Sequence, residues 1–360
     1  MTMMTMIRRA SGALGLGVLA SCNFFDVSNP GPIADENLDA PGAMPGLVTG
    51  MSFDLSRAVD VAVQALPIIA DELYHGGSYT PEGLFNRGIV RSEDANGLWG
   101  GIQRARWVAE SGIERMKTVL DAGFGTNPLS ARAYIYAGLA NRLAGENLCE
   151  AVIDGGPAED FKVYFTRAEA DFTQAITIAN ALTGSIKDSL LRVSYGGRAS
   201  VRAAQGKWAE AAADAALVPT SYVFVAPFST NTTAENNELV TETTDRFEYT
   251  VYNSQWAQVF KDPRVPWDTV KASNGAIRVG QDGRTPFFQQ KKYTTKGSDV
   301  PMVKGTEMLL IRAEAALRNN DVPGAMTLIN QERAFYSTAA APLPALTATT
   351  AADAWRILEK

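Results

Sequence analysis

The sequence predicts a mainly all-α protein, a scaffold of antiparallel helical hairpins carrying one long, irregular and partly β insertion. Three observations predict it. Apolar stripes with alanine at their tight positions recur along separate helical stretches. Residues 219–299 change character, becoming rich in Thr, Asn, Gly and aromatics. The composition is that of an ordinary globular chain, with 46% apolar and 20% charged residues over 360 positions, enough for a sizeable core and incompatible with global disorder or a polytopic membrane protein. The charge balance of 33 basic against 39 acidic residues, net -6, lacks the basic face a nucleic-acid binder needs. One histidine, His75, and two cysteines, Cys22 and Cys149, are too few for a Cys/His zinc site. No metal or cofactor is expected.

Helix-like patterns run over residues 46–73, interrupted by Pro67, and over 94–120 and 129–144. Two more cover 165–181 and 188–218, and helix returns over 302–336 and from 351 to the end. Phe165, Ala168, Phe172 and Ala175 are spaced 3-4-3. Trp208, Ala211, Ala215 and Val218 repeat that spacing, and Val322, Ala325 and Ile329 begin it again. Small residues on such a stripe let two antiparallel helices approach closely, as in the second helix of a tetratricopeptide-type hairpin. Ala199 and Ala313 stand where the partner helices would cross, and Gly206 breaks the chain between two helices. In the insertion, residues 222–225 and 247–252 read as strands, and Asp282-Gly283 is a turn signal. The aromatics Trp99 and Trp107 share one helix face, so core packing is their default reading.

The first residues are an address. Arg8 and Arg9 precede an uncharged run from Ala10 to Ala20, too short to span a bilayer. Leu19-Ala20-Ser21-Cys22 resembles the bacterial lipobox, in which Cys22 is lipidated and becomes the mature N-terminus. The expected organisation is a signal peptide over 1–21, a Pro/Gly/Asn-rich tether over 22–45 and a single domain over 46–360. Asn23 after the cysteine makes the outer membrane the natural destination. Cys149, the remaining thiol, reads as a buried small hydrophobe.

The lipobox, the hairpin scaffold and several local motifs together resemble the RagB/SusD family of outer-membrane nutrient-uptake lipoproteins. Glu307-Met308-Leu309-Leu310-Ile311-Arg312-Ala313-Glu314-Ala315, followed by Asn320-Asp321, Ala325 and Ile329-Asn330, resembles that family's late helical hairpin. Asp26-Val27-Ser28-Asn29-Pro30 is similar to its tether, Ala70-Asp71-Glu72 to the close of its first long helix, and Asp262-Pro263-Arg264-Val265 to a motif of its irregular segment. The family continues past this point with a further helix that here would only be starting at Trp355, so the C-terminal end reads as truncated. The resemblance implies a cell-surface protein that captures oligosaccharides or similar nutrients and delivers them to a TonB-dependent (SusC-like) outer-membrane transporter, without cleaving them. The alternative is a tetratricopeptide-like envelope scaffold lipoprotein that docks other outer-membrane proteins; the aromatic-rich insertion favours capture.

Enzymatic signatures are missing. There is no G-x-S-x-G elbow, no phosphate-cradling loop and no H-E-x-x-H. Glu307 and Glu314 lie two turns apart on one helix, about 10.5 Å at 1.5 Å per residue, too far for either hydrolytic pair. A ligand site must therefore use aromatics outside the helix stripes, which commit Phe165, Phe172 and Trp208 to the core. Two loop regions supply them. Tyr74, His75 and Tyr79 surround Gly76 and Gly77, which would let a ligand approach the backbone. Trp267 and Tyr293 belong to the insertion, where Phe287 and Phe288 should pack one in and one out. Sugar sites combine such aromatic walls with a few placed polar groups. The lipid anchor is checked by metabolic labelling with a fatty acid, which should tag the wild type and leave Cys22→Ala unlabelled.

Overall fold

The computed structural model describes residues 35–259 and 262–359. The signal segment, Cys22 and most of the tether lie outside the described residues. Residues up to Ala40 form a unit of their own, described here only as the 3₁₀ turn Asp35–Asp39. The second unit, Pro41–Lys360, carries the fold.

Its scaffold is helical. The long helices are α1 (Met44–Ile69), α3 (Ser92–Leu120), α4 (Pro128–Asn147), α5 (Lys162–Asn180) and α6 (Gly184–Ala204), with the shorter α2 (Thr80–Phe85) and α7 (Trp208–Ala215). After the insertion, which contains the single turn α8 (Glu238–Val240), come α9 (Gly305–Arg318), α10 (Val322–Tyr336) and α11 (Ala351–Leu358). The three expected hairpins form as α4/α5, α6/α7 and α9/α10, and α1 with α3 makes a fourth. Each packs on the next, α3 on α4, α5 on α6 and α7 on α9. Pro67 falls in the last turn of α1, where it removes one ladder bond without breaking the helix. The chain then turns through Asp71 at φ 57°, and the N–H groups of Glu72 and Leu73 return to the Pro67 carbonyl at 2.8 and 2.9 Å.

Small residues set how closely the hairpins stack. Phe172 of α5 is fully buried, and its ring fills the space a side chain would need at Gly138 of α4 and at Gly197 of α6. Ala168, Ala175, Ala199, Ala211, Ala313 and Ala325 are all at 0% exposure, as their stripes require. Polar ties lock the same hairpins at their rims. Arg198 donates twice to Asp214 at 2.8 Å, joining α6 to α7. Glu169 of α5 accepts from Arg202 at 2.9 Å and from Lys207 at 2.5 Å. Partial burial works against its ionisation, but those hydrogen bonds outweigh it and hold the carboxyl at about 2. Glu307 ties three elements, taking hydrogen bonds from Arg142 of α4 at 3.0 Å and Ser200 of α6 at 2.7 Å, whereas Glu314 pairs with Arg318 one turn away.

The insertion is a closed excursion. It leaves the scaffold along β4 (Val223–Ala226) and returns along β8 (Val300–Lys304), and these two strands pair antiparallel from Val223↔Lys304 to Ala226↔Val300. Residues 300–304 are therefore strand, and the helix expected from 302 begins at Gly305. No side chain fits there, because the Pro219 carbonyl occupies the Cβ position.

Several expectations are corrected. Trp99 and Trp107 are 46% and 55% exposed, because α3 buries Leu98, Ile102, Ala105 and Ala109, Trp99 lies one residue, about 100°, past Leu98, and Trp107 lies two residues from both Ala105 and Ala109. Trp208 is only half-buried, with the Arg318 guanidinium 4.2 Å from its ring centre. Cys149 is exposed, since α4 stops at Asn147 and the thiol sits in the bend before β2 (Glu150–Val152). That strand pairs with β3 (Ala158–Asp160) as a hairpin between α4 and α5. The run 247–252 yields only β5 (Tyr249–Thr250), whereas the Asp282-Gly283 turn forms as expected, with Gly283 at φ 72°. Ser194, Gly196 and Gly197 are buried within α6. Gly197→Ala should cost about 1–3 kcal/mol, since the Phe172 ring is held on both sides and cannot yield. A melting temperature equal to wild type would contradict this packing.

Candidate functional site

A second, smaller core lies under the insertion. Ile68 and Leu73 at the end of α1, Phe85 of α2, and Leu239, Tyr249 and Val251 of the insertion pack together, with Trp256, Trp267, Phe288 and Tyr293 against them. Backbone pairing builds it. β1 (Tyr74–His75) pairs antiparallel with β5, joining the two loop regions that the sequence left separate. β6 (Trp267–Thr269) pairs with β7 (Phe288–Gln290), and the Val251 N–H reaches the Phe288 carbonyl at 2.8 Å. Thr250 Oγ1 accepts the Phe288 N–H at 2.8 Å. From α1, the buried Asp60 accepts the Glu238 N–H at 2.8 Å, which fixes the turn carrying Leu239. Burial raises that carboxyl to about 6.

On one side of this core opens a groove of about 250 Å³. Its aromatic wall is Trp256, Trp267 and Tyr293. The Trp267 indole stacks on Phe288 with ring centres 4.9 Å apart and planes 7° from parallel, and its Nε1–H reaches the Trp256 carbonyl at 3.1 Å. Phe287 points inward at 0% exposure while Phe288 is half-buried, the split expected from their adjacency. Gln290 pins Tyr293, accepting its N–H at 2.9 Å and donating to its carbonyl at 2.8 Å. Burial, then the neighbouring Glu72, pushes the Tyr293 phenol up to about 12, so it is a hydroxyl throughout the physiological range.

The polar rim consists of Glu72, Arg264 and Lys292. Arg264 is held by Asp262, Nη2 to Oδ2 at 2.8 Å, which is what the Asp-Pro-Arg sequence does locally. Lys292 lies over the Tyr293 ring, 5.6 Å from its centre. The surrounding protein and then the Lys304 charge lower its affinity for a proton. Among the described residues neither Glu72 nor Lys292 makes an ion pair, so both have hydrogen-bonding capacity to offer. An apolar aromatic wall with a few convergent polar groups is a site for a neutral, hydroxyl-rich ligand, whose C–H faces lie on rings and whose hydroxyls meet the rim.

Of the expected ligand residues, only Trp267 and Tyr293 line this groove. Tyr74, His75 and Tyr79 are not among its lining residues. His75 is 5% exposed and works as a strut. Its Nε2 faces Glu248 Oε2 at 3.2 Å, and its ring stacks on Tyr79 and meets Tyr249 edge-on. Burial, only partly offset by Glu248, lowers its pKa, so the imidazole is neutral and donates. Tyr79 accepts from Arg246 at 3.0 Å. Gly76 and Gly77 leave room for protein: Thr285 fills the space beside Gly76 and the Glu248 carboxylate the space beside Gly77. Sequence reasoning did not single out Trp256, Arg264, Lys292 or Glu72 as site residues, although Glu72 and Arg264 belong to motifs it had marked, Lys292 adjoins Tyr293 and Trp256 lies in the aromatic-rich insertion.

No family model matches this sequence, and no curated protein does. Solved structures do match. A SusD superfamily protein from Bacteroides vulgatus superposes with a TM-score of 0.61 at 14% identity, over 88% of this chain and 83% of that one. A SusD-like carbohydrate binding protein from the same organism gives 0.61 at 13%, over 89% and 79%. A SusD-like protein from Bacteroides fragilis gives 0.60 at 12%, over 91% and 84%. Hairpin-stacked helices carrying a closed irregular excursion thus define a known architectural class. The chain has the SusD-like fold.

The strut reading makes a pH-dependent prediction. With its folded pKa below its unfolded value, His75 contributes stability that is present above about pH 6.5 and is lost as pH falls through the lowered folded value. His75→Leu should cost about 1–3 kcal/mol at pH 7.5 by leaving Glu248 short of a donor. The gap between wild type and variant in urea unfolding should shrink at pH 5; a gap that widens on acidification would contradict the assignment.

Proposed function

We propose that this chain is a glycan-capturing lipoprotein of the outer membrane, anchored through Cys22 and exposed at the cell surface, which passes oligosaccharides or similar nutrients to a TonB-dependent transporter. The groove of Trp256, Trp267 and Tyr293, with Glu72 and Lys292 on its rim, carries the reading. Two further facts support it. The SusD-like fold is shared with a protein described as carbohydrate binding, and the lipobox-like Leu19-Ala20-Ser21-Cys22 lies ahead of a proline- and glycine-containing tether. Binding rather than cleavage fits the groove's chemistry. Among the described lining residues its charged groups are Glu72, Lys292 and Arg264, and the neighbouring Asp262 is engaged by Arg264, so the rim offers hydrogen-bonding groups rather than a pair of free carboxyls.

Transport would follow from geometry of attachment rather than from catalysis. A tethered binding protein beside a channel raises the local concentration of its ligand at the channel mouth, and a modest affinity lets the ligand leave. Aromatic contacts of about 0.5–1.5 kcal/mol each suit that role. Isothermal calorimetry with neutral hexasaccharides of α- and β-1,4 linkage should show one of them binding at the groove. Trp256→Ala and Trp267→Ala should each weaken it by roughly three- to tenfold, at 1.4 kcal/mol per decade. Near-UV circular dichroism would confirm that the Trp267 variant keeps its packing. Unchanged affinity in both folded variants would remove this groove from the reading. Affinity purification from the native envelope should recover a β-barrel transporter; recovery of an assembly machine in its place would favour the docking-scaffold alternative.

A further inference from the structure

The exposed tryptophans of α3 have no role in the groove, and the architecture around them is that of a site. Trp99 and Trp107 stand eight residues apart on one face, about 12 Å along the axis at 1.5 Å per residue, and are 46% and 55% exposed. Two hollows, of about 480 and 610 Å³, share Trp107 and Asp154 as walls. The smaller lies among α3, α4 and α5. The larger runs along α3 toward Trp99 and is bounded by the turn of the β2–β3 hairpin. That hairpin is the extra length between the two helices of the α4/α5 unit. Its turn is shaped by Asp154 at φ 50° and Gly155 at φ 78°.

The floor is built and polar. Arg106, 2% exposed, donates to Gln103 at 2.9 Å, to Glu110 at 2.5 Å and to Asp154 at 2.6 Å. Gln103 in turn donates to the fully buried Tyr164. Asn141, also fully buried, bridges Glu110 at 3.0 Å and Asp171 at 3.1 Å, and its Oδ1 has no partner. Glu110 is saturated, because Arg167 donates to both its oxygens at 3.1 and 2.7 Å. Asp171 is not saturated. Burial and then the Glu110 charge raise its carboxyl to about 8, so at neutral pH it carries a proton and can both donate and accept. Ser111 and Gln174 add further neutral polar groups to the same hollow.

We infer that this face is a second saccharide site, in which Trp107 is the stacking platform, Asp171, Ser111 and Gln174 meet hydroxyls, and the hollow toward Trp99 extends the track along α3. Four carboxyls, Glu110, Glu114, Asp154 and Asp171, stand against the two cations Lys117 and Arg167 around the smaller hollow. The ligand class is therefore a neutral oligosaccharide rather than a uronate or sulfated glycan. Two sites on separate elements would let one chain hold a long polysaccharide at two points, and the gain comes from linkage rather than from tighter single contacts. This inference rests on the saccharide-binding reading of the protein, but not on the groove that carries it.

The test is a two-by-two comparison by calorimetry and tryptophan fluorescence on the full chain, with neutral hexasaccharides of α- and β-1,4 linkage and hexagalacturonate as the charged control. The variants are Trp107→Ala, Trp256→Ala and the double variant. Trp107 is exposed, so its removal leaves the core untouched. The inference expects two binding events in the wild type with a neutral hexasaccharide, and loss of one, by about tenfold or more in affinity, in Trp107→Ala while Trp256→Ala retains it. Asp171→Asn, which keeps a neutral donor and acceptor, should preserve the event, and Asp171→Leu should weaken it. Binding that is unaffected by Trp107→Ala overturns the second site and leaves the groove standing. Binding that survives Trp256→Ala but not Trp107→Ala supports the second site and removes the groove. A preference for hexagalacturonate at Trp107, or a wild type that binds none of these saccharides, overturns it outright.

Discussion

Two adjacent glycines in α6 set the geometry on which the rest depends. Gly197 yields its side-chain space to the Phe172 ring of α5, and Gly196 yields its own to Val303 of β8. Any side chain at either position would push one neighbour away. The first contact sets the spacing of the hairpin stack, because Phe172 is also pressed against Gly138 of α4. The second sets where the insertion returns to the scaffold, because Val303 lies in the strand that closes it. The helical stack and the binding loops are thus positioned from neighbouring faces of one helix, about 100° apart. Each gains burial that neither would have alone.

The insertion inherits its order from that closure. A loop excursion of this length loses much entropy unless its ends are fixed and its middle packs on something. Here β4 and β8 fix the ends, and β1 and the end of α1 receive the middle. The second core then presents Trp256, Trp267 and Tyr293 on a supported surface. His75, outside the groove, braces the same core through Glu248 and Tyr249. Rings held in this way lose little freedom when a ligand stacks on them, which is how a small groove can select a weakly polar face.

Much of the scaffold was legible because close helix packing leaves a periodic trace. Ala168, Ala211 and Ala325 fall on the stripes that bury them, and Gly206 marks the break between α6 and α7. The α1/α3 hairpin was missed as a unit although Ile102, Ala105, Ala109 and Gly112 carry the same 3-4-3 stripe, because β1 and α2 separate its two helices in the chain. Trp99, Trp107 and Cys149 were misplaced for one reason: hydrophobic character was allowed to stand for burial, although a residue or two of helical phase or the end of a helix decides it. The site was half legible. Aromatics outside the stripes pointed to Trp267 and Tyr293. Nothing local told that His75 would turn inward, because its partner Glu248 lies 173 residues away. Nor could spacing show that β1 would meet β5, which is long-range pairing with only two residues on each side.

The central claim is that a saccharide sits on the aromatic wall assembled by the insertion. Hydrogen–deuterium exchange, with and without a saturating neutral hexasaccharide that the protein binds, tests it most directly, since it reports where the ligand rests without altering a residue. The account predicts slowed exchange over residues 249–258 and 265–293, with the core of α6, which lines neither the groove nor the hollows of α3, unchanged. Slowed exchange confined to helices outside the insertion, with those two segments exchanging as in the free protein, would contradict it.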